Sequence, residues 1–143
     1  MSRLRLKRTR KPKIPKLQVS RRHWTAVGNI AIGDMLERVD RQLEPDGKPL
    51  KRNAPSTLAR KRRRDAFPLS LVDTGKRFHR KSGYEIKRLP RGAGVIVAPR
   101  DKKVTGYVIK MGYNLIGMSR EAWAAVRAVI RAALRESIKK ARR

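Results

Sequence analysis

Asp73-Thr74-Gly75, preceded by Leu71-Val72, is the segment whose residue types come closest to hydrolytic chemistry. An aspartate in such a loop acts when a second carboxylate shares its proton, so a 143-residue chain would have to dimerise to supply the pair. Lys76 and Arg77 follow at once. Adjacent cations favour the ionised carboxylate, whereas the shared-proton mechanism needs one acid to stay protonated. No convincing glycine-rich flap or second hydrophobic-Gly loop follows, so a capping or turn role is the better reading of Asp73. His23 and His79 are the only histidines, and neither has an acid at ligand spacing, which argues against a metal site. Gly92-Ala93-Gly94 lacks the third glycine and the helix start of a phosphate-binding loop. The Ser and Thr residues sit beside Pro, Gly or basic residues and form no nucleophile–base pair. The expectation is a protein without catalytic residues, metal or cofactor.

Charge is the strong signal that remains. Thirty-nine lysines and arginines face eleven acids, for a net charge of +28. Such self-repulsion works against a compact state unless a polyanion or an acidic surface offsets it. Ten basic residues and no acid lie between Met1 and Arg22, a second block is Lys61-Arg62-Arg63-Arg64, and a third closes the chain at 139–143. The candidate contacts with nucleic acid or a partner protein are Arg3, Arg5, Lys7, Arg8, Arg10 and Lys11, together with Lys61, Arg62, Arg63 and Arg64. Aromatic residues are few, which argues against a surface that stacks single-stranded bases. No zinc-finger, RNA-binding aromatic or clean helix-turn-helix signature accompanies the charge, so contacts to phosphate backbone or protein are expected over base readout.

Cysteine is absent, so disulfides and thiolate zinc sites are excluded. No apolar run reaches the ~18 residues of a membrane span. No apolar h-region follows the basic start, against a secretory signal, and Pro12 and Pro15 interrupt any amphipathic transit helix.

The elements that must position these residues follow from periodicity. Residues 1–21 form a Lys/Arg/Pro arm with too little apolar surface to fold alone, expected to order on contact. Residues 22–143 make one domain. Ile32, Leu36, Val39 and Leu43 share a helix face over about 22–43, with Trp24, Val27 and Ala31 beside it. Gly28 and Gly33 each weaken that helix by about 1 kcal/mol, or mark the close approach of a neighbour. Pro45-Asp46-Gly47 is a turn. Ser56-Thr57 caps a short helix running to Arg63, and Asp73 or Thr74 caps another through Phe78 and Arg80. Residues 84–89, 94–98 and 104–111 read as three strands of an antiparallel meander. A final amphipathic helix, capped by Ser119 with Glu121 in its first turn, covers the sheet. Its apolar stripe is Trp123, Val126, Ile130, Ala133 and Ser137; Arg120, Arg127, Arg131, Arg135 and Lys139 fall largely opposite. The class is α+β.

The order of Pro45-Asp46-Gly47-Lys48-Pro49-Leu50, Pro55-Ser56-Thr57-Leu58-Ala59-Arg60-Lys61, Leu71-Val72-Asp73-Thr74-Gly75 and Ile116-Gly117-Met118-Ser119 resembles the phage virion-morphogenesis, or tail-completion, family typified by the G protein of phage Mu. The match covers roughly residues 25–138. Leu50 stands where the family often has Trp, and Lys76-Arg77-Phe78 where it often has Leu. The resemblance implies a structural virion protein of the head–tail junction, assembled in the host cytoplasm and arranged as a homo-oligomeric ring. Implied partners are portal, connector, tail-terminator or tube proteins, and packaged DNA. The alternative is a basic ribosomal protein whose arm threads between RNA helices, a role that extended basic arms suit. An aspartic protease is a distant third.

Overall fold

The computed structural model describes residues 18–64, 80–113 and 117–142. Within them the order is α1 (Arg21–Arg41), α2 (Pro55–Arg63), β1 (Tyr84–Arg88), β2 (Val95–Pro99), α3 (Lys102–Lys110) and α4 (Arg120–Ala141). This is an α+β arrangement with α1 at its centre. One side of α1 receives α4, and another carries the β1–β2 hairpin.

Helix α1 buries Val27, Gly28, Ala31, Ile32, Arg38 and Val39, at the 3.6-residue spacing expected from the sequence. It ends two residues earlier than the apolar stripe suggested. Gln42 enters the left-handed region at φ 55°, and its N–H turns back to the carbonyls of Arg38 and Val39. The Pro45-Asp46-Gly47 turn then forms as expected. The Gly47 N–H donates to Glu44 O at 2.9 Å, and the Lys48 N–H donates to Asp46 Oδ1 at 3.2 Å. The Lys48 ammonium, hydrogen-bonded to Asp46, holds that carboxyl below its ordinary value. Gly28 is also the close approach that its position suggested. A Cβ there would lie 2.7 Å from Ile86 Cδ1 and 2.9 Å from Cγ2, so the absent side chain lets β1 settle on α1. Gly33, by contrast, faces open space.

The hairpin pairs Tyr84 with Pro99, Ile86 with Val97 and Arg88 with Val95. Its far end is pinned to α1 by Trp24 Nε1–H, which donates to Gly92 O at 2.9 Å. Tyr84 is buried where the hairpin meets the core. Burial pushes its phenol up to about 12, against a smaller opposing influence of Arg38.

Three expectations need correction. The third strand is a helix: residues 102–110 form α3, so the sheet is a two-stranded hairpin and not a meander. Local bonds outweigh the β-branched composition. Asp101 Oδ1 accepts the Val104 N–H at 3.1 Å, and Thr105 Oγ1 donates to Asp101 O at 2.7 Å. Asp101 thus caps a helix where the third strand was expected. Next, α4 packs chiefly on α1, and it is α1 that covers the hairpin. Third, α2 is capped by Ala54 with Pro55 in its first turn, without a side-chain cap bond from Ser56 or Thr57. The short helix expected through Phe78 lies outside the described residues.

Helix α4 starts as expected, with Ser119 Oγ accepting the Ala122 N–H at 3.1 Å and Glu121 in the first turn. Its buried residues are Ala122, Val126 and Ala133, whereas Trp123 is 48% exposed. The stripe is therefore rotated: small Ala122 and not Trp123 faces α1, which allows close helix approach.

A polar clip fixes the α1–α4 junction. Arg38 Nε donates to Asp34 Oδ2 at 2.9 Å, and Arg38 also donates to Gly117 O at 2.9 Å. The same Asp34 oxygen accepts the Ser119 N–H at 3.2 Å. Both charged side chains are more than nine-tenths buried. A buried pair satisfied in this way is costly to break, because either partner alone is an uncompensated charge.

Candidate polyanion-docking surface

The mid-chain block divides once folded. Arg60, Lys61, Arg62 and Arg63 occupy the last turn of α2, where the helix dipole favours cations. Lys61 is buried, at 7% exposure, so the expectation of a surface contact there does not fit its position. Its neighbours Arg62, Arg63 and Arg64 are exposed. A run of four cations on a helix cannot all face one way at 100° per residue, and Lys61 is the one turned inward.

Arg3, Arg5, Lys7, Arg8, Arg10 and Lys11 lie outside the described residues. The root of that arm is fixed, however. The Gln18 N–H donates to Ser137 Oγ at 3.1 Å, placing residues 18–20 against the C-terminal half of α4. Arg22 grips Glu136 with bonds of 2.7 and 2.9 Å to its two carboxylate oxygens. The His23 ring meets Ser20 Oγ at 2.6 Å through Nδ1 and approaches Glu136 Oε1 at 3.8 Å through Nε2. His23 thus anchors the start of α1, as an interface residue would. A shallow depression of about 510 Å³ opens here, lined by Ser20, Arg22, Glu136, Lys139 and Lys140. The arm therefore enters the domain beside two further cations.

Helix α4 contributes a surface that the contiguous basic blocks did not point to. Arg120, Arg127, Arg131, Arg135 and Lys139 are all exposed, opposite the face that buries Ala122, Val126 and Ala133. Among the described residues none of the five forms an ion pair. The 7-4-4-4 spacing of these cations was the available signal, and it is more regular than the contiguous blocks. The sequence placed these five cations opposite the apolar stripe but not among the candidate contacts, and it missed the Asp34–Arg38 clip, whose only trace is an acid–base pair at i, i+4 within an apolar stripe.

Asp73-Thr74-Gly75 and His79 lie outside the described residues. Among the described residues no three His, Cys, Asp or Glu side chains gather as a metal site requires. No helix is long and apolar enough to cross a membrane among those residues. No protein-family model, curated protein or solved structure is significantly similar to this chain.

Proposed function

We propose that this chain is a structural assembly protein of a phage neck, acting at the head–tail junction without catalysis. Its domain forms a homo-oligomeric ring, and its basic arm and α2 end dock on acidic surfaces of portal, tail-terminator or tube proteins beside packaged DNA. The observation that carries the reading is the segregation of unneutralised cations onto the outer face of a helix whose inner face builds the core. That arrangement leaves a basic exterior available to a partner. The order of the Asp-Gly turn, the basic helix, the Leu-Val-Asp-Thr-Gly segment and the Ser119 cap supports the virion setting.

The test is association with purified particles. The expected result is stoichiometric retention on virions through high-salt washing, with crosslinks to portal or tail neighbours. Co-sedimentation with ribosomal subunits and protection of ribosomal RNA would overturn it in favour of the basic ribosomal protein. Neighbouring reading frames supply an independent check: portal, capsid and tail genes support the reading, and translation genes oppose it.

A further inference from the structure

We propose that the outward face of α4 is a docking rail for the phosphate backbone of a nucleic-acid duplex. This deepens the assembly reading by assigning its polyanion-binding face. The two fail separately, because the rail is measured on the free chain and the assembly on particles.

The rail is continuous and rigid. Arg120, Arg127, Arg131, Arg135 and Lys139 advance by seven, four, four and four residues, so they wind gently within an arc of about 120° on the outer side of the helix. At 1.5 Å per residue the row is about 28 Å long, with about 6 Å between successive members from Arg127 onward. The helix beneath it is anchored along its length by buried Ala122, Val126 and Ala133, and at its start by the Ser119 cap. The guanidinium groups therefore project from a fixed base and lose little on binding beyond their own side-chain freedom.

Among the described residues nothing neutralises this row. The stretch from Ala122 to Arg135 contains no acid. Of the two acids on α4, Glu136 is held by Arg22, and Glu121 lies in the first turn, where the helix dipole favours it. Five cations with no ion-pair partner among the described residues repel one another until an external anion is supplied.

The surface chemistry favours phosphates over an acidic protein. Protein interfaces centre on aromatic and apolar anchors, with charge pushed to the rim and alanine depleted. Here the exposed residues set among Arg127, Arg131 and Arg135 are Ala128 and Ala132. Exposed Trp123, about 40° round the helix from Arg127, and exposed Ile138 flank the two ends of the row and not its centre. A duplex carries one negative charge per about 1.7 Å of axis, so a row about 28 Å long meets phosphates at any register. Small alanines let the backbone approach. Such contacts position a duplex and read no sequence.

The experiment measures affinity of the full chain for a 30-base-pair DNA duplex, and for an RNA duplex of matching sequence, across a salt series. The probe variant is Arg127→Gln, Arg131→Gln, Arg135→Gln. Glutamine has helix propensity close to that of arginine, so α4 is expected to persist, checked by circular dichroism. The control is Lys102→Gln, Lys103→Gln, Lys110→Gln, which removes equal charge from exposed positions on α3. Each phosphate that the protein no longer neutralises lowers the salt slope by about 0.9. The expected result is therefore a slope shallower by about two to three in the probe variant, and a change of less than about one in the control. A second variant with lysine at all three arginine positions keeps the slope if phosphate charge is what the rail reads. Equal weakening on both duplexes shows backbone recognition in general, and weakening on one identifies that duplex as the source of phosphate. Equal slopes for probe and control, or an unchanged slope in the probe, would overturn the rail in favour of diffuse charge or the arm. Arginine-dependent binding of polyglutamate without duplex binding would overturn it in favour of an acidic protein surface.

Discussion

Helices α4 and α3 begin in the same way and differ in everything that follows. Ser119 and Asp101 each accept a backbone N–H at 3.1 Å from the residue three positions on. Helix α4 then buries Ala122, Val126 and Ala133 against α1 over 22 residues. Helix α3 spans nine residues and buries none of them, and Tyr107, Ile109 and Met111 stand exposed. Nine residues are too few for a stable isolated helix in water, so α3 depends on its cap, on Lys51 Nζ–H donating to Met111 O at 2.8 Å, and on half-buried Val104, Thr105 and Val108. A cap can start a helix. Burial makes the helix part of the cooperative unit, and that distinction decides how each responds to mutation.

The largest expected effect lies at the entry to α4. Asp34→Ala leaves the Arg38 guanidinium buried without its carboxylate and removes the acceptor for the Ser119 N–H. We expect a loss of about 3–5 kcal/mol, read as a lower urea midpoint. A loss below about 1 kcal/mol would mean that α4 is not tied to the core by this clip, and the contrast with α3 would collapse.

How much of this was legible in the sequence follows the same division. Both long helices could be read because their apolar period records burial: Val27, Ala31, Ile32 and Val39 in α1, Val126 and Ala133 in α4. The Ser119 cap was legible because its chemistry is local. Residues 104–111 were misread because Val104, Thr105, Tyr107, Val108 and Ile109 are all strand formers, and that composition outweighed the helical spacing of Val104, Tyr107, Val108 and Met111. The rotation that turns Ala122 inward and Trp123 outward was not legible, since it depends on how closely α4 approaches α1. Among the candidate contacts, the inward turn of Lys61 was illegible for a related reason: a charge block states composition but not direction.

Tyr84 tests the hairpin side of the cooperative core. Its phenol titrates near pH 12 when folded and near 10 when unfolded. The stabilisation from keeping it neutral is complete below pH 10 and lost only above it. Between pH 10 and 12 the unfolded chain releases a proton that the folded chain retains, so stability falls by about 2 kcal/mol. Absorbance at about 295 nm should show one tyrosine ionising late, and Tyr84→Phe should remove that component. A late component that persists in Tyr84→Phe would place the buried phenol elsewhere.

A smaller effect separates two glycines of α1. Gly28→Ala gains about 1 kcal/mol of helix propensity but forces a methyl to within 3 Å of Ile86, at a cost of about 1–3 kcal/mol. Gly33→Ala meets nothing within 4 Å and keeps its gain. The expected outcome is opposite signs in thermal melts, with Gly33→Ala the more stable protein. The same sign in both would mean that the hairpin yields to the added methyl, and would move β1 and β2 from the cooperative unit towards the condition of α3.

The smallest effect is the sharpest test of the contrast between α4 and α3, because the chemistry deleted is the same at both sites. Ser119→Ala and Asp101→Ala each remove one cap bond, worth about 1 kcal/mol to its helix. At Ser119 that loss passes to the whole domain, since α4 cannot fray at its start without exposing Ala122 and loosening the Arg38 bond to Gly117. The global melting transition should fall. At Asp101 the loss stays local: amide exchange should quicken across residues 104–110 while the global transition moves by less than about 0.5 kcal/mol. An equal global loss from both variants would show that α3, though it buries no residue, folds together with the core.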